Sequence, residues 1–375
     1  MSEPKRLLCI VGSMNAGGAE TFLMKIYRKL DKEKYQMDFA VATMDKAFYD
    51  DEICNLGGKI FHIKPKSEGI ISNFNSIKKI VRENEYRYVL RTSQHSLSAL
   101  ELFAAKLGGA KITTFRSSNS NTTSDSKKEK ILHKICMFMP YLFANVRIAP
   151  STEAAEFMFG KNCIKKNRAF LLNNAIDTNI FCFNEKDRIE YRKKFGINQG
   201  ILVGHVGRFN NQKNHKFLIE IFNDLLKKNN DAKLILVGTG ELEKEIKRKV
   251  FELGIEGHVI FTGVRNDVSR ILSAVDIFVF PSFYEGMPNT VIEAQAVGTK
   301  CLISDSISRE AEITELVHFE SLNKGSNEWS EDILQFVSSE SEPREKYNEY
   351  MVKRGYSIET SVNKFVDLVY EDIRE

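Results

Sequence analysis

No stretch of this 375-residue chain approaches the ~20 consecutive apolar residues that a membrane span requires. The one apolar run near the start, LLCIV at 7–11, is too short for a secretory core and breaks at Gly12, so it reads as a first buried strand. Cysteine is sparse and scattered: Cys9, Cys54, Cys136, Cys163, Cys182 and Cys301 form no C-x-x-C pair and have no histidine cluster beside them. That pattern gives no legible zinc or disulfide framework and fits reduced thiols in a cytoplasmic protein. A Walker loop is absent, since no glycine-rich turn ends in Gly-Lys-Ser/Thr. The closest approach to a dinucleotide fingerprint, VGTGELEKE at 237–245, lacks its third glycine, which leaves an oxidoreductase or sugar epimerase as a weak reading. No internal repeat is visible.

What is present points to two soluble cores. Hydrophobic residues make up 42% and charged residues 28%, and the length favours two domains. The net charge of +4 is uneven. Residues 1–150 hold 24 Lys and Arg against 15 Asp and Glu, and the remainder 30 against 35, so +9 faces −5. An anionic membrane or phosphorylated acceptor would meet the first half, and a solvated basic face would look the same. Nothing in this pattern calls for nucleic acid.

Short β-branched runs alternate with amphipathic stretches along the chain. Strands are predicted at 7–11, 37–42, 59–63, 88–92, 111–115, 146–151 and 169–174, then at 201–207, 233–238, 259–263, 276–282 and 300–304. Strand–helix alternation of this kind predicts parallel sheets covered on both faces, hence an α/β chain of two doubly wound Rossmann-like domains facing a cleft. The predicted partition is 1–182 and 183–356. The stretch RSSNSNTTSDSKKEK at 116–130 reads as a loop. The basic-then-apolar segment after it, 127–146, is either a buried core helix or a helix lying on a membrane surface.

Ligands of doubly wound folds gather beyond the carboxyl ends of the strands. Three loops there carry chemistry. GSMNAGGAET, after the first strand, puts Gly17 and Gly18 before a helix, where backbone can approach an anion. GRFNNQKN places Arg208 and Lys213 after the strand at 201–207; two permanent cations suit a diphosphate leaving group. EGMPNTVIEAQAVG at 285–298 sets Glu285 in a loop and Glu293 one turn into a helix. Pro288 is predicted at the first helical position, Asn289 and Thr290 offer free N–H groups, and Gly298 closes the helix. Carboxylates at this spacing can accept hydrogen bonds from sugar hydroxyls while backbone holds phosphate, so the mouth reads as a sugar-nucleotide site.

Together these stretches resemble the family 4 glycosyltransferases of the GT-B fold, many of which build bacterial surface polysaccharides. The likeness runs through Gly-Gly-Ala-Glu at 17–20, LLNNAIDTNIF at 171–181, ILVGHVGRFNNQKN at 201–214, VIFTGVRNDVSRILSAVDIFVFPS at 259–282 and EGMPNTVIEAQAVG. It implies metal-independent transfer of a sugar, with retention, from a nucleoside-diphosphate sugar (a UDP-sugar by preference) to a glycan or lipid-linked acceptor, without a cofactor. It implies that Arg208 and Lys213 stabilise the departing diphosphate, Glu285 holds donor-sugar hydroxyls and Glu293 the ribose. Gly286, Met287, Asn289 and Thr290 would line sugar and phosphate, Val264 and Arg265 the base, and Gly17 and Gly18 the phosphates. The final helix, 357–375, would cross back onto the N-terminal domain, and a peripheral contact with the cytoplasmic membrane face would follow from the basic half. The departures lie in the first domain. Where the family commonly has His-x-His after the fourth strand, this chain has Arg91 and Ser93, with His95 two residues late, either catalytic or structural. Arg116 replaces the first histidine of a second such pair, as for an anionic acceptor. A non-catalytic relative that binds nucleotide or glycan and regulates a partner is the alternative.

Overall fold

The structure, a computed structural model, describes residues 3–15, 17–118, 127–197, 199–285 and 287–371. The chain divides into two compact units, residues 1–175 with 356–375, and residues 176–355. The division falls at Ala175, within the stretch LLNNAIDTNIF, and the helix Ile358–Val369 belongs to the first unit.

Among the described residues the first unit contains seven strands: β1 Lys5–Val11, β2 Tyr35–Val41, β3 Ile60–His62, β4 Tyr88–Ser93, β5 Ile112–Ser117, β6 Val146–Ala149 and β7 Phe170–Leu171. They form one sheet in the order β3-β2-β1-β4-β5-β6-β7, every pairing parallel. Near-continuous burial along β1 and β2 follows from having both faces covered. One face packs Phe22, Met24, Ile26 and Tyr27 of the helix Gly18–Lys29 together with Ile358, Val362, Phe365 and Val369 of the helix Ile358–Val369. Tyr370 fastens that last helix, its hydroxyl donating to the Gln36 carbonyl at 2.8 Å.

The second unit contains β8 Leu202–Val206, β9 Lys233–Val237, β10 Val259–Gly263, β11 Ile277–Phe280, β12 Lys300–Ser304 and β13 Val317–Glu320, ordered β10-β9-β8-β11-β12-β13 and again parallel. In each sheet the order reverses once, between β1 and β4 and between β8 and β11, and such a switch point opens a crevice at the strands' carboxyl ends. The edge strand β13, VHFE, was not predicted; at four residues with two polar side chains it carries too little alternation to stand out.

The 127–146 segment is two helices, Lys127–Cys136 and Met139–Phe143, and it is only partly buried. Cys136 and Pro140 face inward, whereas Ile131, Leu132, Ile135, Phe138 and Leu142 are exposed. Among the described residues no helix is long and apolar enough to cross a membrane.

Candidate functional site

The switch point of the second unit gathers most of the predicted residues. After β8 the chain turns through Asn210, whose side chain accepts from the Lys213 N–H at 3.2 Å, and Asn214, in the left-handed region at φ 53°, starts the helix His215–Lys228. After β11 the loop comes alongside: the Phe283 N–H donates to the Gln212 carbonyl at 2.9 Å, and the Gln212 amide donates to the Tyr284 carbonyl at 2.9 Å and to Glu285 Oε1 at 3.0 Å. That lattice presses Lys213 Nζ to 2.6 Å from Glu285 Oε1 and 4.5 Å from the centre of the Phe280 ring. Both charged side chains are mostly buried, at 17% and 12% exposure, so their attraction is weakly screened. Removing one partner of such a pair strands the other and costs about 3 kcal/mol.

The remaining predicted groups sit at the same strand ends with different freedom. Arg208 is exposed and meets Glu241 at 3.3 Å. Pro288 caps the helix Asn289–Ala296 instead of occupying its first position, because its ψ of 107° is extended. Asn289 Oδ1 is buried at the helix start without a hydrogen-bond partner, Thr290 and Met287 are half-buried, and Glu293 is nearly buried. Gly298 ends the helix at φ 69°. Gly286 lies outside the described residues. Val264 is exposed, and the Arg265 side chain is committed to Asp267, its Nε donating at 2.7 Å. Arg265 and Tyr191 together hold the Asp267 carboxyl down at about 2.

Two residues at this site escaped the sequence reading. His205 and His215 are fully buried under Lys213, their rings edge to face at 4.6 Å. His205 Nδ1 lies 2.9 Å from the Val279 carbonyl, which can only accept, so the proton is on Nδ1. His215 stacks on Phe209 at 4.2 Å with both nitrogens unpartnered. Burial, then the Lys213 charge, push His215 down to about 4. The histidines flanking the Arg–Lys motif were the available signal.

The first unit's strand ends hold the other predicted groups. Gly17 caps the helix Gly18–Lys29, and a β-carbon there would overlap the Glu20 carboxylate, which folds back over the turn; Gly18 faces open space. His95 is engaged on both ring nitrogens: Nδ1 accepts from the Leu97 N–H at 3.2 Å, and Nε2 lies 3.3 Å from the Glu129 carbonyl. It caps a short turn and packs against buried His133. Arg91 is tied to Glu101, which also meets Lys66 at 3.2 Å, and Arg116 is buried in β5.

Comparison with known proteins agrees with this architecture. A family model described as glycosyl transferases group 1 matches residues 187–354. The chain is similar to the glycosyltransferase named EpsF of Bacillus subtilis strain 168, at 31% identity over 373 residues, covering 98% of this chain and 97% of that one. It is also similar to the capsular polysaccharide biosynthesis glycosyltransferase CapH of Staphylococcus aureus, at 24% over 318 residues, 83% and 84% of the two chains. Among solved structures, HepE of Anabaena in complex with UDP superposes with a TM-score of 0.78 at 18% identity, over 97% of this chain and 98% of that one.

Proposed function

The chain belongs to the group 1 glycosyl transferases, and on that premise we propose that it moves a sugar, with retention and without a metal, from a UDP-sugar to a glycan or lipid-linked acceptor in surface-polysaccharide synthesis. The observation that carries this reading is the Lys213–Glu285 pair, held by Gln212 at the second unit's switch point. A diphosphate arriving there offers Lys213 a stronger partner than Glu285. The ammonium turns to the phosphate oxygens, and the freed carboxylate accepts hydrogen bonds from the sugar hydroxyls. Exposed Arg208 adds the second cation as charge develops on the leaving group. Glu293 takes the ribose, the start of the helix Asn289–Ala296 with Met287, Asn289 and Thr290 the sugar and phosphate, and backbone at Val264 and Arg265 the base. Gly17 and Gly18 supply an N-terminal turn that accepts phosphate. His95 enters the reaction only by giving up both of its hydrogen bonds, so it is left out of the transfer step.

The names of relatives support the donor and setting: HepE was solved with UDP, EpsF carries a glycosyltransferase name and CapH the name of a capsular polysaccharide biosynthesis glycosyltransferase. Calorimetric titration with UDP, GDP and ADP in a chelator tests the reading. UDP is expected to bind best, with Lys213→Ala weakening it; equal or absent binding of all three nucleotides would sink it.

A second reading concerns location. Ile131, Leu132, Ile135, Phe138 and Leu142 are exposed beside exposed Lys128 and Lys134, the composition of a face that rests on anionic lipid. Flotation with vesicles containing phosphatidylglycerol should carry the protein upward, and Ile135→Glu with Phe138→Glu should abolish this. Identical flotation with neutral vesicles would remove the idea.

A further inference from the structure

Two inward-facing arginines, Arg116 buried and Arg344 partly buried, live in opposite surroundings. A guanidinium has five N–H donors, and burial makes each unused one costly. In the second unit Arg344 places all of them: Nε on the Val297 carbonyl at 3.2 Å, Nη1 on Ser273 and Val275 at 3.1 Å each, and Nη2 on Leu272 at 2.9 Å and Thr299 Oγ1 at 2.6 Å. That is what a structural arginine looks like.

Arg116, at the carboxyl end of β5, is 2% exposed and among the described residues makes one such bond, from Nη2 to Asn174 Oδ1 at 2.9 Å. Its Nε is buried with no acceptor. The guanidinium carbon lies 3.9 Å from the Phe22 ring centre, a stacking contact that covers its face and satisfies no N–H. Among the described residues no carboxylate reaches it as an ion pair. The acid whose charge acts on it is Glu20, in the first turn of the helix Gly18–Lys29, whose carboxylate is folded back over Gly17. Beside that turn Gly18 opens onto free space. A buried cation with spare donors, next to an open helix N-terminus, is an incomplete anion site.

We propose that Arg116 is an anion subsite of the first unit, which takes a phosphate or carboxylate group of the acceptor on its unused N–H donors as Glu20 moves off the glycine turn. The word acceptor rests on the glycosyl-transfer reading; the anion site does not. Phosphate and carboxylate share the required chemistry, a planar or tetrahedral pair of anionic oxygens facing the fork.

The test is calorimetry on the full chain with methyl phosphate in one arm and glucuronate in the other. Both are run with saturating UDP, and again in Lys213→Ala without UDP, so that the second unit's cations do not take the probe. One probe is expected to bind, about tenfold more weakly to Arg116→Lys, which keeps the charge and loses the fork. Glu20→Gln, which removes a like charge, is expected to tighten it about threefold, an effect no purely structural arginine would produce. UDP affinity should stay within about twofold in Arg116→Lys. The proposal is overturned by failure of both probes, or by binding indifferent to Arg116→Lys. Should that variant fold poorly, hydrogen exchange on the unmutated protein decides: the probe should protect 17–23 and 112–118, and protection elsewhere alone rejects the site. Loss of UDP binding with probe binding intact would sink the donor reading and leave this one standing.

Discussion

The two sheets share one plan, with a single reversal of strand order, yet they handle charge at that reversal in opposite ways. In the second unit each cation of the candidate donor site already has an anion: Lys213 with Glu285, Arg208 with Glu241, Arg265 with Asp267. In the first unit Arg91 is neutralised by Glu101, while Arg116, one strand over, is buried without an ion pair among the described residues. A paired site stays folded and waits for a ligand that outcompetes the internal partner. An unpaired one stores the cost of a missing ligand in the fold itself. If the donor site is of the first kind and Arg116 of the second, substitutions in the two units should separate activity from stability.

The largest effect belongs to the pair. Glu285→Gln should lower kcat for sugar transfer about 10²- to 10³-fold, since it removes a contact that strengthens in the transition state. Lys213→Ala should do the same and also weaken UDP. Steady-state kinetics with a UDP-sugar panel checks both, and wild-type turnover in either variant would break the comparison at its stronger end. Next come the arginines. Arg344→Met removes the donors from five acceptors and should cost about 4 kcal/mol in urea unfolding. Arg116→Met replaces an uncompensated buried cation by an apolar group of similar length and should be neutral or stabilising. Equal destabilisation by both would show that Arg116 is structural after all.

How far the sequence carried this picture depended on where periodicity and motif coincide. The strands around β8 and β11 were legible because each is an apolar run ending in a polar turn; Arg208, Lys213 and Glu285 stand at those turns, and Glu293 lies in the helix that follows. Their meeting was less so: that Gln212 would tie Lys213 to Glu285 depends on two loops 72 residues apart lying side by side. His205 and His215 were invisible as a pair, since one is inside a strand and the other opens a helix. The expectation for Pro288 missed by one position because only the backbone ψ separates a cap from a first helical residue. β13 was missed, and the 127–146 segment was left between a buried and a surface helix, for a common reason: short or uniformly apolar stretches do not reveal which face is covered.

A third effect, of about 3 kcal/mol, tests whether the floor beneath Lys213 is held neutral. His215 titrates near 4 in the folded protein and near its ordinary 6.5 when unfolded, so the unfolded chain binds the extra proton between those values. Its contribution is complete above pH 6.5 and is lost as the pH falls toward 4. Urea unfolding across that window should show the slope, and His215→Phe, which keeps the stacking on Phe209, should flatten it. An unchanged slope would mean that some other group senses the acid and that the neutral floor is not what supports the pair.

The smallest effect lies at the outer edge of the second unit, where like charges meet instead of opposite ones. Glu320, at the end of β13, faces Asp332 of the helix Ser326–Ser338, whose Oδ2 is buried without a donor. Lys324 sits 2.8 Å from Glu320 and so settles the charge of that partner first. Burial, then Glu320, therefore push the Asp332 carboxyl up. An acid raised on folding stabilises only while it stays protonated, so this edge weakens as the pH climbs from below the ordinary carboxylate value through the raised one. Asp332→Asn should thus gain about 1 kcal/mol at pH 8, discounted for partial exposure, and nothing at pH 4. The unfolding curves belong in EDTA, because His318, Glu320 and Asp332 offer ligand atoms within 4.8 Å of one another and a stray cation would mask the repulsion. A loss of stability at pH 8 would mean that the aspartate anion is wanted there, and that charge at this edge is balanced as it is around Lys213.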